Sequence, residues 1–97
     1  MFANDNDRQM QFKKWLRRTK HCSPKNAGDA NGAAKLAEGI LGESLDEIVS
    51  RGTSTPQIVE QLISRLLPRQ KSTGNAERVG RELGGSVRLY LEFCRAP

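Results

Sequence analysis

Residues 8–25, RQMQFKKWLRRTKHCSPK, predict two helices that meet at a positively charged joint. Phe12, Trp15 and Leu16 are spaced three and four residues apart, so on a helix they form one apolar stripe. The stretch also carries seven lysines and arginines and no carboxylate, and the cations fall largely on the other faces. We therefore expect a basic helix face that is fixed to a hydrophobic core.

Turn residues and apolar spacing predict an all-α fold, a compact bundle of about five helices. Ser23-Pro24 and Thr55-Pro56 have the order of a capping side chain followed by a first-turn proline. Ser44 begins a capping-box pattern. The expected helices lie at about 7–20, from 24 toward 41, between 44 and 52, from 55 to 67, and from about 76 to the end.

Several local features carry separate expectations. Residues 1–6 are interpreted as a flexible tail, with Asp5 or Asn6 capping the first helix, and residues 7–97 as a single domain. Residues 68–75 are expected to be a basic loop. Glycines weaken helices, so the order of 24–32 stays open, and a kink or break is expected at Gly84-Gly85.

Composition limits the classes of protein to which the chain can belong. It has 97 residues, a net charge of +5 and a sequence pI near 9.7. The N-terminal residues are polar and no apolar run approaches the ~20 residues that cross a bilayer, so we expect a cytoplasmic protein with no membrane partner. Residues 26–50 carry five carboxylates against one lysine, which sets an acidic segment beside the basic one.

Candidate catalytic and metal-binding residues do not form a convincing set. His21, Cys22 and Cys94 lack the spacing of a zinc site, so no metal or cofactor is expected. The helical register of Tyr90 predicts a core residue rather than a nucleophile. We expect no enzyme activity and no small-molecule substrate.

The basic stretch itself predicts a surface that follows phosphates. Lysine and arginine displace condensed counterions, and a helix start beside them offers amide donors. The alternative is a solvated helix face, which charged runs usually are. Trp15 could stack on a base, but its place on the apolar stripe favours core packing. The residues in this interpretation are Lys13, Lys14, Arg17, Arg18 and Ser23.

Short motifs along the chain resemble the N-terminal core-binding domain of tyrosine recombinases and phage integrases. That domain is a small bundle with a fold like that of the sterile alpha motif, and it holds duplex DNA together with a catalytic domain. The residues of the catalytic set of that second domain have no counterpart here. The resemblance rests on Phe12-x-x-Trp15-Leu16, on Cys22 to Asn26, on Gly42-x-Ser44-Leu45-Asp46-Glu47-Ile48, and on Ser86 to Phe93.

The resemblance implies phosphate contacts from both of the first two helices and from the last one. It places them at Lys13, Lys14, Arg17, Lys20, Ser23, Lys25, Asn26 and Arg88. We therefore expect a DNA-binding module that holds duplex DNA through phosphates, as the core-binding arm of a recombinase-like system from a phage or mobile element, or as an accessory to one. It would have a catalytic recombinase domain as a further partner.

The competing hypothesis is a protein-interaction bundle with no nucleic-acid role. The acidic 38–47 surface of one copy would meet the basic 8–25 surface of another, as in end-to-end contacts between domains of this kind. Salt dependence and protein concentration separate the two hypotheses, because DNA binding weakens steeply with salt and self-association occurs without DNA.

Overall fold

A computed structural model describes residues 4–70 and 72–95. These residues form five α helices and one turn of 3-10 helix, Leu67–Arg69, with no strand among them. The all-α prediction and the number of helices are confirmed. The helices are α1 (Asp5–Thr19), α2 (Pro24–Leu41), α3 (Leu45–Ser50), α4 (Thr55–Leu66) and α5 (Thr73–Arg95).

The chain divides into two units, and the division falls within α2. The first unit is Met1–Gly32 and the second is Ala33–Pro97. In the first, Phe12, Leu16 and Ala27 are buried, and in the second the core comes from all its helices. The single domain that the sequence predicts over residues 7–97 stays a prediction. No helix in the described part of the chain combines the length and the apolar character that crossing a membrane requires.

The first helix begins earlier than predicted. Asn4 has an extended backbone, and its side chain accepts the Asp7 amide at 2.8 Å. Asp5 and Asn6, which the sequence placed in a tail as candidate caps, are instead helical, because Asn4 offers the same capping chemistry one residue earlier. Residues 1–3 of the predicted tail lie outside the described residues.

The end of α1 is closed by a tight turn. The amides of Lys20 and Cys22 both donate to the Leu16 carbonyl, each at 3.1 Å. Between them His21 has a φ of 56°, the left-handed conformation that few side chains adopt. This turn ends α1, and α2 begins directly after Ser23.

The second helix is continuous, including the 24–32 segment whose order the sequence left open. Ser23 Oγ accepts the Asn26 amide at 3.1 Å, as the predicted cap should. The predicted helix end near residue 41 is also confirmed, since Gly42 has a φ of 75° and its amide donates to the Glu38 carbonyl.

Serine caps also begin α3 and α4. Ser44 Oγ accepts the Glu47 amide at 3.2 Å, as predicted. The cap of α4 was predicted at Thr55 but lies at Ser54, which forms a reciprocal capping box with Gln57. Thr55 is the first helical residue, because only the preceding serine stands three residues before the Gln57 amide.

The predicted basic loop at 68–75 is shorter than expected. A 3-10 turn covers part of it, and Ser72 Oγ accepts the Asn75 amide at 3.2 Å to cap α5. Thr73 and Gly74 are therefore helical. Lys71 lies outside the described residues.

The predicted break at Gly84-Gly85 was wrong, because α5 runs unbroken through both residues. The kink that the sequence offered as the other possibility stays a prediction. Gly80 and Gly84 allow close packing. A Cβ at Gly80 would lie 2.6 Å from Cγ1 of Ile63, and one at Gly84 would come closer still to Val59. Gly80 and Gly84 are four residues apart on α5, and Val59 and Ile63 are four residues apart on α4. The ridge that Val59 and Ile63 form on α4 therefore fits a groove on α5 where the two glycines have no side chains.

The contacts at Gly80 and Gly84 predict that alanine lowers stability at these two positions and raises it at the neighbouring Gly85. Gly80→Ala and Gly84→Ala should each lower the free energy of unfolding, because overpacking costs about 1–3 kcal/mol and exceeds the roughly 1 kcal/mol gained in helix propensity. Gly85→Ala is the matched control on the same helix, where the added Cβ meets nothing within 4 Å. It should raise stability by up to about 1 kcal/mol.

Urea unfolding followed by circular dichroism measures all three variants under one set of conditions. Equal stabilisation by the three substitutions would contradict the close approach of α4 and α5.

Candidate nucleic-acid interface

The cations of α1 share one helix face with an apolar side chain. Residues 10, 13, 14, 17 and 18 follow the spacing i, i+3, i+4, i+7 and i+8, which places Met10 on the same face as the cations. Lys14, Arg17 and Arg18 are exposed, and Lys13 is half-buried. The helical spacing in the sequence therefore places Met10 beside these cations, although the phosphate-binding interpretation names only the cations of this helix.

This face of α1 and the start of α2 enclose a groove of about 700 Å³ within the first unit. No carboxylate is among its lining residues in the part of the chain that the structure describes. Away from the turn, Asn31 Nδ2 of α2 donates to Gln9 Oε1 of α1 at 3.0 Å, which links the two helices. The lining residues are Met10, Lys13, Lys14, Arg17, Arg18, Cys22, Pro24 and Ala27.

The start of α2 offers fewer amide donors than the sequence suggested. Pro24 has no N–H, and the amides of Asn26 and Ala27 donate to the side chain and carbonyl of Ser23. Of the first four residues of α2, Lys25 is then the one whose amide is not used in these capping bonds. Ser23 can still donate its hydroxyl hydrogen, and both Lys25 and Asn26 are exposed beside the groove residue Pro24.

Lys20 lies outside the groove lining and approaches the tryptophan. Its Nζ is 5.7 Å from the centroid of the Trp15 ring, a cation–π distance. Trp15 in turn stacks on Phe12 with ring centroids 6.4 Å apart. Trp15 is half-buried, and Phe12 is fully buried.

Two other cations stand apart from the groove. Arg8, one of the seven cations of residues 8–25, is 6% exposed and binds Asp5 at 2.7 Å. It is therefore part of the first unit's interior rather than its basic surface. Arg88, the remaining predicted contact, is exposed on α5 in the second unit.

Most carboxylates of the acidic 38–47 segment have partners within the second unit. Glu38 accepts the Leu45 amide at 2.8 Å, and Asp46 accepts the Tyr90 hydroxyl. Glu43 forms a bidentate pair with Arg51. The segment thus caps and ties helices, which leaves less of its charge for a second molecule.

The Glu43–Arg51 pair shifts the titration of both groups. The hydrogen bond from Arg51 holds the pKa of Glu43 below its ordinary value, and the same bond raises the pKa of Arg51. The pair is largely exposed, so water and salt screen its contribution.

The other candidate chemistry of the sequence does not form a site in the described residues. No group of three or more His, Cys, Asp or Glu side chains there could hold a metal ion. Tyr90 is 2% exposed, as its register predicted. Its ring also packs against Phe93, with centroids 5.8 Å apart.

Neither known family models, nor curated protein sequences, nor solved structures match this chain. The likeness to recombinase core-binding domains therefore rests on the short motifs alone.

Substitutions at Ser23 should separate capping from anion binding. Ser23→Ala removes the bond to the Asn26 amide and should lower stability by about 1 kcal/mol. Ser23→Asp keeps a capping oxygen and should retain stability, but it adds a negative charge beside the cations and should weaken DNA binding. Urea unfolding and fluorescence anisotropy measure the two effects. An aspartate variant that is stable and binds DNA as tightly as the original chain would contradict a phosphate site at this turn.

The lowered pKa of Glu43 predicts a pH-dependent effect of Glu43→Gln. A carboxyl with a lowered folded-state pKa stabilises the fold above its ordinary value of 4.5, and the contribution disappears as pH falls through the lowered value. The variant should therefore be less stable than the original chain at neutral pH and equally stable in strong acid. Urea unfolding at about pH 7 and about pH 3 tests this. Glu60→Gln, on an exposed part of α4, is the control.

Proposed function

We propose that this chain is a DNA-binding module that holds duplex DNA mainly through its phosphates. The observation that carries the proposal is the groove of the first unit, where four cations of α1 converge and no carboxylate is among the described lining residues. Such a concentration of one sign of charge attracts a polyanion and releases its counterions.

The dimensions of the basic face suit a nucleic-acid strand. From Lys13 to Arg18 the helix axis advances about 7.5 Å. The rise of about 3.4 Å per phosphate is measured along the duplex axis, and successive phosphates of one strand lie farther apart than that, so this face can meet about two of them. Lys25 and its amide extend the cationic surface onto α2.

The charge arrangement is difficult to explain as a purely structural feature. Lys13 and Arg17, like Lys14 and Arg18, are like charges one helical turn apart, and each such pair destabilises a helix by roughly 0.2–0.5 kcal/mol. A bound phosphate relieves this repulsion. In the free protein the helix dipole offsets part of this destabilisation, because Arg17 and Arg18 lie in the last turn of α1, where the dipole favours cations.

The motifs that resemble recombinase core-binding domains support a more specific role. We propose that the module serves as the DNA-holding arm of a site-specific recombinase-like system, or as an accessory to one. It would have no catalytic activity of its own, and a partner domain would supply the cleavage chemistry. Self-association through the acidic segment is less well supported, because Glu38, Glu43 and Asp46 already have partners within their own unit.

The test is a fluorescence-anisotropy titration of a labelled duplex of about 30 base pairs at about 50 and 200 mM salt. If two to four phosphates are neutralised, log K should fall with log salt at a slope between about −2 and −4. The double variant Lys14→Glu/Arg17→Glu should weaken binding about tenfold or more at the lower salt and reduce the slope by about 2.

A matched control separates the groove from net charge. Arg65→Glu/Arg95→Glu changes the net charge equally, on exposed residues of α4 and α5. It should have a much smaller effect, and circular dichroism verifies that both variants are folded. Equal losses in the two double variants, or no salt-dependent binding by the original chain, would contradict the proposal. Sedimentation without DNA would then test self-association directly.

A further inference from the structure

The groove of the first unit has an apolar side that phosphate binding does not explain. Met10, Cys22, Pro24 and Ala27 line it together with the four cations. Met10 is 58% exposed, the largest value among the exposed large hydrophobic side chains of the described residues. Contacts to the backbone of a continuous duplex are mostly polar, so they would leave these apolar side chains exposed to water.

We propose that the groove accepts one unpaired nucleotide of a DNA strand, with its phosphate on the cations and its base against the apolar side chains. The inference rests on the proposed function and adds a preference to it. DNA with an unpaired segment, such as a gap, an overhang or an opened junction, should bind more tightly than a continuous duplex.

The lining chemistry suits a nucleobase. A base has a flat π face that packs on apolar groups and on the planar guanidinium of an arginine, and Arg17 and Arg18 both line the groove. The thioether of Met10 is flexible and polarisable, so it adapts to bases of different shape. Such contacts tolerate any base sequence, because every base has a π face.

The size of the groove points in the same direction. Its volume of about 700 Å³ falls in the roughly 300–1,000 Å³ range of sites that enclose a small organic ligand. In a continuous duplex the bases are stacked inside the helix and their faces are not accessible. Only an unpaired nucleotide presents phosphate and base face to one groove together.

The single tryptophan does not provide this contact. Trp15 is not among the groove residues, because its ring stacks on Phe12 and lies near the Lys20 ammonium. Base packing in the groove would therefore depend on Met10 and the two arginines. This makes Met10 the residue whose substitution tests the proposal with the least disturbance.

The experiment compares three labelled DNA probes with the full chain. The first is a continuous duplex, the second is a duplex of about 20 base pairs with an overhang of about 10 thymidines, and the third has an overhang of abasic nucleotides of the same length. The two overhang probes carry the same phosphates and differ only in their bases. The thymidine overhang should bind about fivefold more tightly than the abasic one, the low end of the range for base stacking on protein. The slopes of log K against log salt should be equal for these two probes, since their charges are equal.

Met10→Gln should remove the difference in affinity between the thymidine overhang and the abasic overhang. Met10 is exposed and its sulfur has one weak contact, from Asn6 Nδ2 at 3.9 Å, so the fold should tolerate the change. Leu36→Gln is the control, because Leu36 is 56% exposed on α2 in the second unit. It should retain the fivefold difference.

Three results would overturn the inference in distinguishable ways. Equal affinity of the original chain for the thymidine and abasic overhangs, with salt-dependent duplex binding intact, would overturn it and leave the proposed function standing. Salt-independent or undetectable binding to all three probes would overturn both. A difference between overhangs that persists in Met10→Gln would place the base somewhere other than this groove.

Discussion

The groove depends on the short turn between α1 and α2. The turn must end one helix and start the next within a few residues, and His21 in it adopts a left-handed backbone conformation. The Cys22 amide returns to the Leu16 carbonyl, and Ser23 then supplies the cap of α2. Without this sequence of bonds, the cations of α1 would lie on an ordinary solvated helix face. With it, the cations of α1 and the first turn of α2 line one open groove.

Whether a charged residue lies in the basic or the acidic segment does not by itself determine its role in the structure. Arg8 belongs to the basic stretch but is buried beside Asp5, where it helps to hold the first turns of α1. Glu38 belongs to the acidic segment but caps the start of α3. Lys13, Lys14, Arg17 and Arg18, in contrast, repel each other on one face of α1. A polyanion resolves that repulsion, whereas packing does not.

The sequence predicted the helices well because their ends are set by local chemistry. Serine caps, first-turn prolines and the glycines at 42 and 52 act within a few residues of one another, so their effect is visible in the chain. Errors arose where two neighbours compete for the same role, as with Asn4 against Asp5 and Ser54 against Thr55. They also arose where the deciding contact is distant. Gly84 looks like a helix breaker in the sequence, whereas in the structure Val59 of α4 occupies the space beside it.

The candidate site, too, could be predicted from the sequence only in part. The cations were evident from their number and spacing, but the enclosure that makes them a groove depends on the turn at His21 and on the path of α2. The position of Met10 beside them was present in the helical spacing, yet its meaning depends on Pro24 and Ala27 lying opposite. Burial of Arg8 was not evident either, since an arginine followed by six cations in residues 8–25 is expected to belong to the same surface.

The chemistry of the groove also limits what the module can recognise. Contacts to phosphates fix register and orientation but carry no sequence information, and apolar packing on a base face accepts every base. If the groove binds DNA in the proposed way, it would distinguish unpaired from paired DNA but not one sequence from another. A system that acts at a defined DNA site would need base-edge contacts from another surface, and a catalytic partner domain is the natural source of them. The module would then contribute affinity and position, and the partner would contribute specificity and chemistry.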